Sequence, residues 1–184
     1  TFTTVTPAIT SLSPTSGTTV GNTLVTITGT GFLTGATVSF GGTAGTSVTV
    51  VSATSITVRT PATVTPGKVD VSVTTDGGTT SNTANDDYTY AAVTPVVTSL
   101  TPATGTSVGG DTVVIAGTGF VTGTTVKFGT VPAASVTVDS PTQLTVVSPA
   151  SLVAGTVDVE VRNSFGPSST SGTGDDFVYV APTP

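Results

Sequence analysis

Apolar residues alternate with Thr, Ser or Asp along most of the chain, with the two-residue period of half-buried β-strands. Clusters of Gly, Pro, Asn or Asp interrupt this alternation about every ten residues, as turns do. No stretch shows the apolar spacing of an amphipathic helix. The pattern predicts about seven short strands in the first half of the chain. Its clearest alternating sets are Val25/Ile27, Val38/Phe40, Val48/Val50, Ile56/Val58 and Val69/Val71/Val73.

The second half of the chain repeats the first half at an offset of about 88 residues. PAITSLSPTSGTTVG begins at Pro7 and PVVTSLTPATGTSVG begins at Pro95. The alignment continues without a gap to Gly78 against Gly166, with about half of the positions identical. One extra residue in the second copy then precedes its last strand. The chain therefore contains two copies of one structural unit.

Seven short antiparallel strands in about 90 residues bury one face when they form two packed sheets. Hydrophobic residues make up 36% of the chain but aromatic residues only 5%, which favours two small aliphatic cores over one large core. We therefore expect an all-β protein with two tandem β-sandwiches of about seven strands each. The predicted domains are residues 1–91 and 92–184.

Residues 27–42, ITGTGFLTGATVSFGG, place glycines behind an apolar run, as phosphate-binding loops do. Such a loop requires a helix N-terminus that faces the anion. Here a strand pattern follows, and the segment contains no Lys or Arg. We interpret Gly29 and Gly31 as glycines of a tight crossing of the chain, and Phe32 as a core residue.

The composition excludes most catalytic and nucleic-acid-binding functions. The chain has no Cys, His, Met or Trp, which removes thiolate and imidazole catalysis, the usual zinc ligands and the indole platform common in sugar binding. A Ser or Thr nucleophile needs a base within hydrogen-bond reach, and none is indicated. The net charge of −6, with four basic residues, disfavours nucleic acid and anionic membranes. We expect no enzyme activity and no cofactor.

Four acidic residues are the candidate metal ligands. Asp86 and Asp87 precede the last strand of the first copy, and Asp175 and Asp176 are their counterparts in the second. Paired carboxylates with backbone oxygens could bind calcium. The sequence NDD lacks the regularly spaced acids of a dedicated calcium loop, so we favour turns with solvated acids and no metal. Asp111, in VGGDT, is likewise interpreted as a turn residue.

The lysines and tyrosines do not define a site. Lys68 and Lys127 occupy non-equivalent positions, because they align with Thr156 and Ser39 of the other copy. We interpret both lysines as solvated and outward-facing. The three tyrosines lie on the last strand of each copy, where we expect core or linker contacts rather than a sugar-stacking face.

Both copies carry P-x-[IV]-x-S-L-x-P, G-x-x-V-G, I-x-G-x-G-F, V-x-F-G and a P-A before V-D-V-x-V, in this order. This order resembles the IPT/TIG family of immunoglobulin-like domains. The resemblance implies two immunoglobulin-like sandwiches. Family members include segments of plexins, DNA-contacting transcription factors, starch-acting enzymes and bacterial surface proteins, so the resemblance implies fold more than function. The matching positions are Ile27, Gly29, Gly31, Phe32, Val38, Phe40 and Gly41, with Ile115, Gly117, Gly119, Phe120, Val126, Phe128 and Gly129.

The leading hypothesis is a non-enzymatic extracellular or cell-surface protein that serves as a stalk, a spacer or a fibre subunit. The first residues, TFTTVTP, contain neither a basic start nor an apolar signal core, and the chain begins at Thr1 rather than Met. We therefore expect a mature secreted product or a piece of a longer protein. The alternative is an accessory module of a secreted carbohydrate-active enzyme. A DNA-contacting transcription-factor domain is disfavoured by the acidic balance.

Both ends of the chain resemble halves of its internal junction. The junction contains YTYAAVTPVVTSL, the end contains FVYVAPTP and the start contains TFTTVTPAITSL. We therefore expect assembly head to tail, with copies of itself or neighbouring domains of the same polypeptide as partners. Strand addition by residues 1–7 to an open sheet edge is one route. A surface glycan is the other candidate partner, and neither nucleic acid nor membrane insertion is expected.

Overall fold

The computed structural model describes residues 5–63, 65–151 and 153–181, which contain strands but no helix. The chain divides into two compact units, Thr1–Ala92 (unit 1) and Val93–Pro184 (unit 2). The all-β prediction with two tandem sandwiches is confirmed. Over the described ranges, no helix is long and apolar enough to cross a membrane.

Unit 1 contains ten strands in its described residues. Seven of them have four residues or more, in agreement with the predicted number, while β2, β5 and β9 are too short for an alternation to reveal. The strands are β1 (Ala8–Ser13), β2 (Ser16–Thr18), β3 (Leu24–Thr30), β4 (Thr37–Phe40), β5 (Thr43–Ala44), β6 (Thr46–Ser52), β7 (Ser55–Arg59), β8 (Gly67–Thr75), β9 (Gly78–Thr79) and β10 (Asp87–Ala91).

Two sheets form the sandwich of unit 1. One has the order β1-β3-β7-β6, and the other has the order β2-β10-β8-β4-β5 with β9 paired to β8. All pairs are antiparallel except β2 with β10, whose strands run parallel. The sequence predicted antiparallel strands throughout. It did not indicate β2, because β2 lies inside TSGTTVGN, which has the composition of a turn, and the parallel pair could therefore not be predicted.

Unit 2 repeats the strands and both sheet orders of unit 1, including the parallel pairing of β12 with β20. Its strands are β11 (Val96–Thr101), β12 (Thr104–Thr106), β13 (Thr112–Thr118), β14 (Thr125–Phe128), β15 (Val131–Pro132), β16 (Ser135–Ser140), β17 (Gln143–Val147), β18 (Gly155–Asn163), β19 (Gly166–Pro167) and β20 (Asp176–Val180).

Each unit has its own hydrophobic core, built from the inward-facing residues of its two sheets. Phe32 and Phe120 occupy equivalent core positions and are 2% and 1% exposed, as the alternation predicted. A Cβ on Gly29 would collide with the Ala8 carbonyl and with the Phe32 ring. Gly31 has a φ of +72°, which favours glycine. The glycine-rich segment is therefore a tight crossing that leads into strand β4 and not into a helix.

Candidate functional site

Three acidic side chains of unit 1 meet where β10 begins. Asp87 stands opposite Asp70 in the register of β10 with β8, and Asp86 immediately precedes β10. One carboxylate oxygen from each of the three lies within 4.8 Å of the other two. Asp86 is only 1% exposed. The strand order therefore concentrates three negative charges at one place in unit 1.

Each carboxylate of this cluster has a donor within unit 1. Lys68 Nζ donates to Asp87 Oδ2 at 2.8 Å, and this hydrogen bond, with the charge of Asp87, raises the pKa of Lys68. The backbone N–H of Thr83 donates to Asp86 Oδ1 at 3.0 Å. The third carboxylate, on β8, accepts a hydrogen bond from Nδ2 of Asn82. Unit 1 therefore balances its acidic cluster with its own residues.

Unit 2 places three aspartates at the same backbone positions. Asp176 stands opposite Asp158 in the register of β20 with β18, and Asp175 precedes β20. Asp175 is 3% exposed, and its Oδ2 has no hydrogen-bond partner among the described residues. Burial raises the pKa of Asp175, and the negative charges of Asp158 and Asp176 raise it further. Thr156 stands where unit 1 has Lys68.

The expectation of solvated acids is wrong for Asp86 and Asp175, which are buried. Their backbones extend the sheet pairing by one residue before the last strand begins. Val71 N donates to Asp86 O, and Val159 N donates to Asp175 O, each at 2.8 Å. The main chain therefore fixes both residues against the neighbouring strand. The next residue in each unit, Asp87 or Asp176, is half-buried.

Sequence reasoning missed Asp70 and Asp158, the members of each cluster on the neighbouring strand. Both lie in the V-D-V pattern, where the period of two points an Asp away from the core. This alternation shows on which face of the sheet the two aspartates lie, but it does not show which strand lies beside them. Their role became visible only with the pairing of β8 with β10 and of β18 with β20.

The tyrosines belong to the cores, as expected. Tyr90 Oη donates to the Pro61 carbonyl at 3.1 Å, and Tyr179 Oη donates to the Pro149 carbonyl at 2.8 Å. Burial raises the pKa of Tyr90 to about 12. Tyr88 is fully buried. The aromatic rings on the last strand of each unit pack edge-to-face in the core, which leaves no tyrosine face for a sugar.

Asp111 closes a turn in unit 2, as expected. Its Oδ2 accepts a hydrogen bond from the backbone N–H of Thr106 at 2.8 Å. Both lysines are exposed, and Lys68 is engaged by Asp87. A cleft of about 340 Å³ on unit 1 is lined mostly by Thr, Pro, Gly and Val, and its two aromatic residues are buried in the core. Lys68 also lines the cleft, but its amine is paired with Asp87, and no carboxylate is among the described lining residues.

The two sheets, the separate core and the repeated strand order define each unit as an immunoglobulin-like β-sandwich. The chain belongs to the IPT/TIG domain family, whose model matches residues 7–90 and 95–179. The family resemblance inferred from the sequence motifs is thus confirmed. No curated protein matches the chain.

Solved structures with a similar fold include surface and extracellular proteins. The extracellular region of plexin A4 is 22% identical, with a TM-score of 0.48, over 95% of this chain and 18% of its own length. SGBP-B from a xyloglucan utilization locus of Bacteroides uniformis is 18% identical, with a TM-score of 0.41, over 88% and 47%. The Yersinia pseudotuberculosis adhesin InvE is 18% identical, with a TM-score of 0.42, over 94% and 58%. The chain therefore spans less than two thirds of each of these proteins.

Proposed function

We propose that the chain is a non-enzymatic spacer or stalk in an extracellular or cell-surface protein, with its units working in series. The observation that carries this proposal is the duplication itself: two units with the same strand order, each closed around its own core. A duplicated unit with a separate core adds length without new chemistry. A Thr-rich chain in which only 8% of residues are charged suits a segment that stays folded outside a cell.

The connection between the units supports the same proposal. Only residues 92–95 separate β10 from β11. Asn163 anchors this connection to unit 2, because its Nδ2 donates to the Val93 carbonyl at 2.8 Å and to the Gly119 carbonyl at 3.1 Å. A short connection that is held at one end restricts the conformations of the chain between the two folded units.

The aromatic residues favour a spacer over a glycan-binding module. Among the described residues every Tyr is buried, and Phe165, which is half-buried, is the most exposed Phe. Sugar rings usually stack on exposed aromatic faces. A glycan array probed with the chain is expected to show no binding, and a reproducible hit would favour the accessory-module alternative.

The spacer proposal is tested by displaying an epitope above the chain on a cell surface. We expect a large antibody fragment to reach the epitope better with both units than after deletion of residues 1–92, because one folded unit has been lost. A variant chain with unit 1 duplicated should improve access again. Equal access in all three chains would contradict the proposal, provided that equal expression is shown with a small label.

Assembly head to tail with further copies is the finer part of the proposal. It is supported by the likeness of both chain ends to the internal junction. Sedimentation velocity and electron microscopy of the purified chain at rising concentration test it. Rods with an axial repeat of two domain lengths support a polymer, whereas particles of a single mass at every concentration restrict the function to a spacer within one polypeptide.

A further inference from the structure

Two large apolar side chains are exposed where unit 1 begins, those of Val5 and Leu33. A Cβ on Gly31 would lie 3.4 Å from Val5 Cγ1, so Val5 lies beside the loop that carries Leu33. Neither residues 5–7 nor residues 31–36 contain a charged side chain. We call Val5 and Leu33 the leading patch of the chain.

A second apolar patch lies where the last strand of unit 2 ends. Backbone hydrogen bonds join the three segments that form it: Ser107 N donates to Val180 O, and Ser151 N donates to Ser107 O, each at 2.9 Å. The Ser151 hydroxyl donates to the Val153 carbonyl at 2.7 Å. The exposed residues of these segments, which we call the trailing patch, are Val108, Val153 and Val180.

Counterparts of the patch residues in the other unit are also apolar, but they are less exposed. Leu33 is 48% exposed, whereas Val121, which aligns with it in unit 2, is 7% exposed. Val108 is 67% exposed, whereas Val20, which aligns with it in unit 1, is half-buried. These apolar positions are therefore most exposed at the two ends that the connection, residues 92–95, does not join.

The two patches are suited to each other in polarity and charge. Residues 107–110 and 149–154, which carry most of the trailing patch, contain no charged side chain, as is also true of the segments of the leading patch. Contact between two such surfaces removes apolar area from water and does not bury a charge. Exposed apolar side chains that cluster, in contrast to scattered ones, are typical of protein–protein contacts.

We propose that the trailing patch of one chain binds the leading patch of a second copy of the chain. This inference rests on the head-to-tail assembly proposed above and names the surfaces that make the contact. The contact is heterologous, because it joins two different surfaces, and each added copy leaves one patch of each kind free. It can therefore repeat along a row of chains.

Chemical cross-linking tests the proposal, because the chain contains no Cys and introduced thiols are therefore the only ones. Purified Leu33→Cys and Val108→Cys chains are mixed at high concentration and treated with a bismaleimide that has a short flexible arm. We expect the mixed dimer to form faster than either homodimer, since only the mixed pair brings a leading patch to a trailing patch. Mass spectrometry separates the three dimers, and circular dichroism checks that each variant remains folded.

A charge in the trailing patch should prevent this cross-link. Val153→Asp, added to the Val108→Cys chain, should abolish the excess of mixed dimer, because the contact would then bury a carboxylate. Val131→Asp is the matched control. It places the same charge on an exposed valine of β15 in unit 2, outside both patches, and should leave the yield of mixed dimer unchanged.

The proposal is overturned if Leu33→Cys links to Val108→Cys no faster than to a Val131→Cys chain, or if Val153→Asp has no more effect than Val131→Asp. Sedimentation of the unaltered chain separates this failure from that of the proposed function. Multimers without the cross-link would mean that copies assemble through another surface. Absence of both would remove head-to-tail assembly as well, whereas the spacer function depends only on the covalent connection of the two units and is decided by the epitope experiment.

Discussion

The two units share a scaffold and differ in how they satisfy buried polar groups. Their strand orders and core phenylalanines are equivalent, but the carboxylates before the last strand have donors in unit 1 and lack them at Asp175 Oδ2 in unit 2, among the described residues. Apolar packing and glycine placement therefore specify the sandwich, and the polar positions around it are free to diverge. The comparison shows that the hydrogen bonds of the carboxylates before the last strand differ between the two units although the scaffold is the same.

A second difference lies beneath the equivalent glycines Gly17 and Gly105. A Cβ on Gly17 would meet the hydroxyls of Tyr88 and Thr23. A Cβ on Gly105 would instead meet the Phe177 ring and a carboxylate, that of Asp111. The Tyr88 hydroxyl has no partner among the described residues, whereas the Asp111 carboxylate accepts a backbone N–H. The same space therefore contains the Tyr88 hydroxyl, which has no described partner, in unit 1 and the Asp111 carboxylate, which closes a turn, in unit 2.

The shared core should show the largest effect, and it should be equal in the two units. Replacing Phe32 or Phe120 by Ala should lower the free energy of unfolding of its own unit by about 3 to 5 kcal/mol, because each substitution empties a fully packed core position. Native-state hydrogen exchange of the full chain measures both units at once. Each variant should leave the other unit unchanged, and equal destabilisation of both units would mean that their cores are not independent.

The turn acid should produce the next largest effect, and only in unit 2. Asp111→Ala should lower the stability of unit 2 by about 1.5 to 2 kcal/mol, because it removes a charged acceptor from the Thr106 N–H. The matched change in unit 1, Thr23→Ala, removes a side chain with no described hydrogen bond and should have little effect. Urea unfolding of both variants, followed by unit-resolved exchange, makes the comparison. Equal losses of stability in the two units would mean that the Asp111 carboxylate stabilises its turn no more than Thr23 does.

The unpartnered carboxylate should give unit 2 a dependence on pH. The pKa of Asp175 is raised in the folded state, so that state binds a proton more tightly than the unfolded chain does. Unit 2 should therefore lose stability as the pH rises from the ordinary Asp pKa through the raised one. Asp175→Asn should abolish this loss, because the amide does not titrate.

Melting curves from pH 3 to 7 should check this prediction, with Asp86→Asn as the control. The control variant should keep the slope of unit 2, since it changes only unit 1. A slope that survives in Asp175→Asn would place the titrating group elsewhere in unit 2.

The exposed ion pair of unit 1 should have the smallest effect. Lys68→Thr gives unit 1 the residue that unit 2 has, and the Lys68 side chain is 64% exposed in its pair with Asp87. Exposed pairs contribute little because solvent screens them. The melting temperature should not change measurably, and a drop of several degrees would mean that Lys68 holds the acidic cluster of unit 1 together.

The sequence predicted the strands and the cores because a period of two places Val, Ile and Phe on one face. It also indicated Gly29, Gly31 and Phe32 correctly, since their order leads into another strand pattern. It could not predict the partners of Asp86 and Asp175, which depend on strand pairing across the sheet. A pattern along the chain gives the face of each residue, whereas the neighbour across the sheet depends on topology.

The short parallel pair in each unit has a mechanical consequence. In unit 1 the Thr89 N–H bonds the Thr15 carbonyl and the Thr19 N–H bonds the Ala91 carbonyl, each at 2.9 Å, which ties the second strand to the last one. Tension applied at the two ends of a unit pulls parallel strands past each other lengthwise. Their hydrogen bonds then resist shear together instead of peeling apart one by one. Unit 2 has the same arrangement, so we expect the two units to resist a pulling force in the same way.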